Sequence, residues 1–310
     1  MRSRAPQQPH TKLAARAAGP LPTSTFGCIR VDVTWLFVDM STAEPGLVEI
    51  PQLLHEFRQQ LFRTQLPDTH PASFAATTAP LITRVDQASL DASAQAAFLA
   101  AYNTLNSQGW LGPFVAIHAD MSHRMHHSMG FVGAQRFLPW HRVYLHVLEQ
   151  HLQSLNPAVS IPYWDWSTVH AIPSWLQGPE GMPTVTNVNG NNITVVRSPD
   201  DPNQLPSPED VQNILGDPDF TTFENDLETA HDGVHAWVGG IMAIIPTAPA
   251  DPLFWMHHAN VDRIWTSWQR NNPGENPSLN PPDDTLDPWT DTELKTRQVS
   301  NYGYQYDALP

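Results

Sequence analysis

The sequence predicts a mainly α fold, in which a helical core carries long loops pinned by proline and a few short strands. Three observations carry that reading. Segment 136–155, RFLPWHRVYLHVLEQHLQSL, places His141, Leu145, Leu148 and Leu152 at i, i+4, i+7 and i+11, one buried stripe of a helix. Segment 231–235, HDGVH, sets two histidines one turn apart on one helix face. The composition joins 30 prolines in 310 residues, roughly twice the usual share, to 15% charged residues against a typical ~25%.

The elements follow in chain order. Residues 1–25 are polar and rich in Pro and Ala, the composition of a disordered tail. IRVDVTWLFV (29–38) alternates as a strand, and LHEFRQQLF (54–62) reads as a short helix. A Pro/Thr/Ala stretch runs to about residue 84. SLDASAQAAFLAAYNTL (89–105) is then helical, with Ser89 or Asp91 as its N-cap. FVAIHADMSHRMHH (114–127) reads as the end of a second helix running into a loop. In the helix over 136–155, Pro139 suits the first turn, and the stripe points His141 toward the core. IPYWDWS (161–167) is an aromatic loop, and TVTNVNGNNITVV (184–196) a hairpin turning at Asn189-Gly190. FENDLETAHDGVHAWVGG (223–240) and DPLFWMHHANVDRIWTSW (251–268) are two more helices, and the tail closes as a loop with NYGYQYD. No internal repeat or low-complexity linker appears. The expected organisation is an N-terminal extension over 1–84 and one helical domain over 85–310.

Charge and cysteine usage remove several function classes. Net charge is −15, with Lys12 and Lys295 as the only lysines and no basic stripe, so nucleic acid and anionic membranes are not expected partners. Cys28 is the sole cysteine, which excludes an internal disulfide and a thiolate metal cluster. No apolar run reaches membrane-spanning length. The basic N-terminus is not followed by the apolar segment of a secretory signal, so the expected location is cytoplasmic, or outside by a route not visible here.

Eleven of the 15 histidines fall in two blocks: 118, 123, 126, 127, 141, 146 and 151, then 231, 235, 257 and 258. An imidazole-only donor set suits copper, zinc, iron or nickel rather than calcium or magnesium. Two blocks that each supply three ligands imply two metals, and facing helices of a bundle are a natural frame for such a pair. His231 and His235 share a helix face. His258 lies on a face with Phe254, Val261, Asp262 and Trp265, where Asp262 is placed to accept its other ring N–H, while His257 points elsewhere. In the first block His141 is set by its stripe; spacing alone leaves 118, 123, 126 and 127 open for the other two ligands.

Four segments, RFLPWHRVYL, IPYWDW, HDGVHAWVGG and DPLFWMHHANVDRIW, resemble in order the motifs of the tyrosinase and catechol oxidase family, over about residues 85–307. The resemblance implies an antiparallel four-helix bundle holding two copper ions, each on three histidines. Carried over by motif, the first copper takes His118 from GWLGPFVAIH and His141 from FLPWHR. The second takes His231 and His235 from HDGVH and His258 from HHANVD. Many relatives have the middle ligand of the first copper nine residues before the FLPWHR histidine, where this chain has Val132. With MHHSMGFVGAQ lengthening the loop, His126 is expected there, then His127, then His123. A cysteine cross-link to that ligand is ruled out, since none lies nearby.

The implied activity is oxidation of o-diphenols to o-quinones by O2, with ortho-hydroxylation of monophenols. Asp232, after the first ligand of the second copper, and Glu228 stand where family members hold a water that deprotonates monophenols. A solvent-facing helix position is the plain alternative for Glu228. Ile245, from MAIIPTAPA (242–250), and Ala236, beside His235, are the expected substrate-binding residues, at a mouth without the bulky phenylalanine of many plant relatives. Phenols and O2 are the expected partners, with a separate copper-delivery protein where one is needed. Arg30 is the expected partner of the C-terminal tyrosines. Two other classes share parts of the pattern. A hemocyanin-like oxygen carrier has the same site, and a zinc hydrolase on HDGVH would leave FLPWHR without a role.

Overall fold

Asp91, rather than Ser89, opens the first long helix: its carboxylate accepts from the Ala94 N–H, satisfying one of the free donors of the first turn. In this computed structural model residues 81–310 are described throughout, together with the backbone of 26–31 and 34–39. The chain divides into two compact units, Met1–Pro67 and Asp68–Pro310. The expected helix at 54–62 lies outside the described residues.

In chain order the helices are α1 (Ala92–Ser107), α2 (Leu111–Ala119), α3 (Phe131–Leu155), α4 (Pro208–Leu215), α5 (Phe220–Val238), α6 (Pro252–Asn271) and the short α7 (Glu293–Thr296). The strands form three two-stranded pairs: β1 (Phe26–Val31) with β2 (Thr34–Asp39), β3 (Ile82–Arg84) with β6 (Tyr304–Tyr306), and β4 (Thr184–Val188) with β5 (Asn191–Thr194). The single strand expected over 29–38 is therefore an antiparallel pair, a distinction that alternation alone does not make. The β4–β5 hairpin turns where expected, with φ of +49° at Asn189 and +84° at Gly190, the left-handed conformation a tight hairpin turn needs.

α3 packs against α1, α5 and α6, and α2, α3, α5 and α6 form the bundle that carries the histidines. Pro139 does not sit in the first turn. α3 begins eight residues earlier, where Gly130 at φ +83° lets the chain enter, and the proline is accommodated inside the helix. α6 starts on Asp251, whose side chain accepts from the Leu253 N–H, with Pro252 in the first turn. It is buried along most of its length, and Trp164, Trp166, Trp255 and Trp265 are fully enclosed. Large apolar side chains contribute ~1.5–3 kcal/mol each on burial, so this aromatic layer is the main force holding α6 central.

The C-terminal tail is not a loose loop. β6 runs parallel to β3, which brings Tyr304 and Tyr306 over Arg84. Arg84 binds Glu149 of α3 at 2.9 Å and Asp262 of α6 at 3.4 Å, and both tyrosine hydroxyls donate to Asp262. Arg142 adds a 2.6 Å bond to the other oxygen of Asp262. Arg84 thus meets the tyrosine motif, while the pairing expected of Arg30 lies outside the described residues. Asp262 is correspondingly not the acceptor for His258, because two guanidinium groups and two hydroxyls outcompete a single imidazole N–H for a buried carboxylate.

Candidate metal centre

His118 lies in the last turn of α2, His126 in the loop that follows, and His141 two residues beyond Pro139 in α3. All three are buried, and one nitrogen of each lies within 4.8 Å of the others. Backbone carbonyls set two of the rings. His118 Nδ1–H donates to Ile245 O at 2.9 Å and His141 Nδ1–H to Phe137 O at 2.8 Å. That tautomer leaves both Nε2 lone pairs facing each other at 3.4 Å. His126 is seated by Gly133, whose position is so close that an added Cβ would stand 2.0 Å from His126 O. Its Nδ1 lies 3.3 Å from Glu228, and its Nε2 has no partner among the described residues.

The second cluster is built alike. His235 Nδ1–H donates to Met242 O at 2.8 Å and His231 Nδ1–H to Asp232 at 3.0 Å. His258 Nε2 stands 3.2 Å from His231 Nε2 and 3.4 Å from His235 Nε2. The loop after α5 therefore fixes a ring in each cluster, through Met242 O and Ile245 O. Sequence reasoning did not find these contacts, because a main-chain acceptor leaves no trace in residue type.

Lone pairs pointed at one another inside a protein repel unless a cation lies between them. Imidazole nitrogens sharing one first-row metal at ~2.0–2.1 Å stand roughly 3.4 Å apart, as these do. Protonation is a poor substitute: burial and mutual repulsion hold His118, His141, His231 and His258 well below the usual imidazole range, and His235 is lowered to about 4. The donors present thus fit a metal in each cluster. The two clusters share a wall, with the His141 and His258 rings stacked at 4.4 Å.

His257 departs from expectation. It does not point elsewhere but stacks on His231 at 4.9 Å, fully buried, with a nitrogen within reach of the second cluster. α6 is buried on all its faces here, so position on the helix did not single out the direction of His257. Glu228 is also buried, 1% exposed, which removes the solvent-facing reading. Its carboxylate accepts from the His127 backbone N–H at 3.0 Å as well as meeting His126. Its neighbour Glu224, to which it is hydrogen-bonded, is pushed up to about 11 by burial and by that contact. Of the remaining candidates, His123 is bound to Asp287 and His127 to Glu228. His151 is buried against Phe114.

Both clusters open on one cavity of about 220 Å³, lined by His118, His126, His231 and His235 with Asp232, Ala236 and Ile245 on its walls. No helix among the described residues is long and apolar enough to cross a membrane.

Comparison with known proteins agrees with this geometry. The common central domain of tyrosinase matches residues 111–199 and 178–271. Tyrosinase of Streptomyces glaucescens is 32% identical over 282 aligned residues, covering 73% of this chain and 98% of that protein. Grixazone synthase of Streptomyces griseus is 31% identical over 49% of this chain and 74% of its own length. A functional unit of octopus hemocyanin superposes with a TM-score of 0.62 at 26% identity, covering 73% of this chain and 68% of that one. Tyrosinase from Burkholderia thailandensis, at 0.58 and 19% identity over 74% of each chain, shares the fold. The bundle and its paired histidine clusters define a type-3 copper oxidoreductase with two copper ions. The chain belongs to the tyrosinase family.

Proposed function

We propose that this protein oxidises o-diphenols to o-quinones with O2 and also hydroxylates monophenols at the ortho position. His118, His126 and His141 hold one copper, and His231, His235 and His258 the other. The observation that carries this reading is the single cavity onto which both clusters open. Bound copper supplies the electron chemistry with O2. The chain fixes the ligand rings, shields the site from bulk water and moves protons. Each diphenol gives up two electrons and two protons, so two diphenols reduce one O2 to two waters. A monophenol and one O2 give one o-quinone and one water.

Monophenols need a proton acceptor before ring attack, and Asp232 lies on the cavity wall for that task, acting through water. Glu228 sits behind His126, away from the wall, and is a positioning residue for the first cluster. Met242 and Ile245 hold ligand rings by their carbonyls, and Ala236 leaves room for a ring to enter.

O2 uptake by the copper-loaded protein tests the reading, first with a monophenol and then with its o-diphenol. Consumption of both, the monophenol after a lag, is the expected result. Uptake with the diphenol alone removes the hydroxylase part and the role of Asp232. Reversible O2 binding with no phenol consumed makes the protein a carrier and overturns the proposal.

A further inference from the structure

The cavity wall has a charge balance that the metals do not set. Besides four of the imidazoles it is lined by Asp232, Ala236, Met242, Ala243, Ile245 and Ala248. Among the described residues Asp232 is the one carboxylate that lines the cavity, and no lysine or arginine does. Its side chain is 53% exposed, and one of its oxygens accepts from the His231 ring. The rim beside it is small or aliphatic: Ala243 is exposed, as are Ile244 and Ile245. At about 220 Å³ the space is below the ~300–1,000 Å³ that encloses drug-sized ligands. A single phenolic ring therefore fills it, and any para tail lies at the solvent-facing mouth near Asp232.

We propose that the site selects phenols whose para tail carries a cation, the arylalkylamine class, over those whose tail carries a carboxylate. This rests on the oxidase reading above. At ~4 Å in a water-like dielectric, one unit charge changes the affinity for another about fivefold. Attraction of an ammonium and repulsion of a carboxylate thus separate the two classes by roughly 10- to 30-fold. Among the described residues the rim offers no cation to offset this, and the net charge of −15 adds to it at low salt.

The test compares three o-diphenols on the copper-loaded protein: 4-methylcatechol, 4-(2-aminoethyl)catechol and 4-(2-carboxyethyl)catechol. The difference is expected in KM rather than kcat and shrinks as ionic strength rises past ~0.1 M, where screening reaches ~10 Å. Anaerobic calorimetric titration with tyramine and with 4-hydroxyphenylpropionate gives the same preference without turnover. Asp232→Asn, judged by the amine-to-carboxylate ratio alone, brings that ratio toward one, and Ala243→Lys at the rim moves it toward the carboxylate. If 4-methylcatechol is oxidised while amine and carboxylate differ by less than about twofold, or the carboxylate is favoured, the proposal fails and the oxidase reading stands. If no catechol is oxidised, both fail.

Discussion

The imidazole of His141 stacks on that of His258 with 4.4 Å between centroids and 16° between planes, so one ligand of each cluster forms a common wall. His258 Nδ1 has no partner among the described residues, and this stacking with Phe254 packing at 4.1 Å holds its ring. Removing the ring therefore disturbs the neighbouring cluster too. His258→Ala is expected to abolish metal binding at its own cluster and to weaken the first by about 10–100-fold, the usual cost of losing a supporting contact. Competition with a copper chelator measures this. An unchanged first affinity contradicts the shared wall.

The metal-free protein loses stability on acidification. Its buried imidazoles have folded-state values far below 6.5, so between those values and 6.5 the unfolded chain binds protons that the native one does not. Stability then rises with pH across this window and falls as pH drops from about 6.5 toward 4, where His235 titrates. Copper-loaded protein resists the change, because the metal holds the deprotonated rings. Thermal melts of both forms at pH 7, 6 and 5 provide the check, and parallel curves would refute it.

Glu224 carries the opposite sign. Its folded value is raised from 4.5 to about 11, so the native state keeps a proton that the unfolded state releases. Stability from this group falls as pH rises through that interval. Glu224→Gln preserves the hydrogen bond to Glu228 without the titration. The variant is expected to match the wild type near pH 4.5 and to gain on it progressively at pH 7 and 8, as read from urea midpoints.

The ion network at the tail bears on folding rather than chemistry. The Arg142 and Arg84 guanidiniums hold buried Asp262 below the usual carboxylate range despite its desolvation. Asp262→Ala leaves two buried cations short of a partner, for which ~3–5 kcal/mol of lost stability is expected. Tyr306→Phe removes one hydroxyl donor and costs ~1 kcal/mol. Because the Asp262 value is lowered, its contribution is present above ~3.9 and disappears as pH falls through the folded value. Denaturant unfolding at neutral and acid pH separates these effects; equal losses for the two variants would contradict the network.

Much of the frame is legible in the chain because burial leaves a period. The His141 stripe, the HDGVH pair and the Asn189-Gly190 turn each announce their element. The rest depends on tertiary choices. Nothing local says that Asp262 prefers Arg84 and Arg142 to His258, or that His257 turns toward His231. The carbonyls of Met242 and Ile245 hold two rings through main-chain atoms that any residue supplies. Pro139 misled because the real start of α3 is marked by Gly130, well upstream of the hydrophobic stripe.

Copper titration of the wild type, His126→Ala and His127→Ala, read by metal analysis after desalting, tests the assignment of the centre most directly. His126 alone closes the first cluster in this account, while among the described residues His127 meets Glu228 and neither cluster. The wild type and His127→Ala are predicted to retain two coppers per chain, and His126→Ala one. Two coppers retained by His126→Ala, or one metal in the wild type, would contradict it.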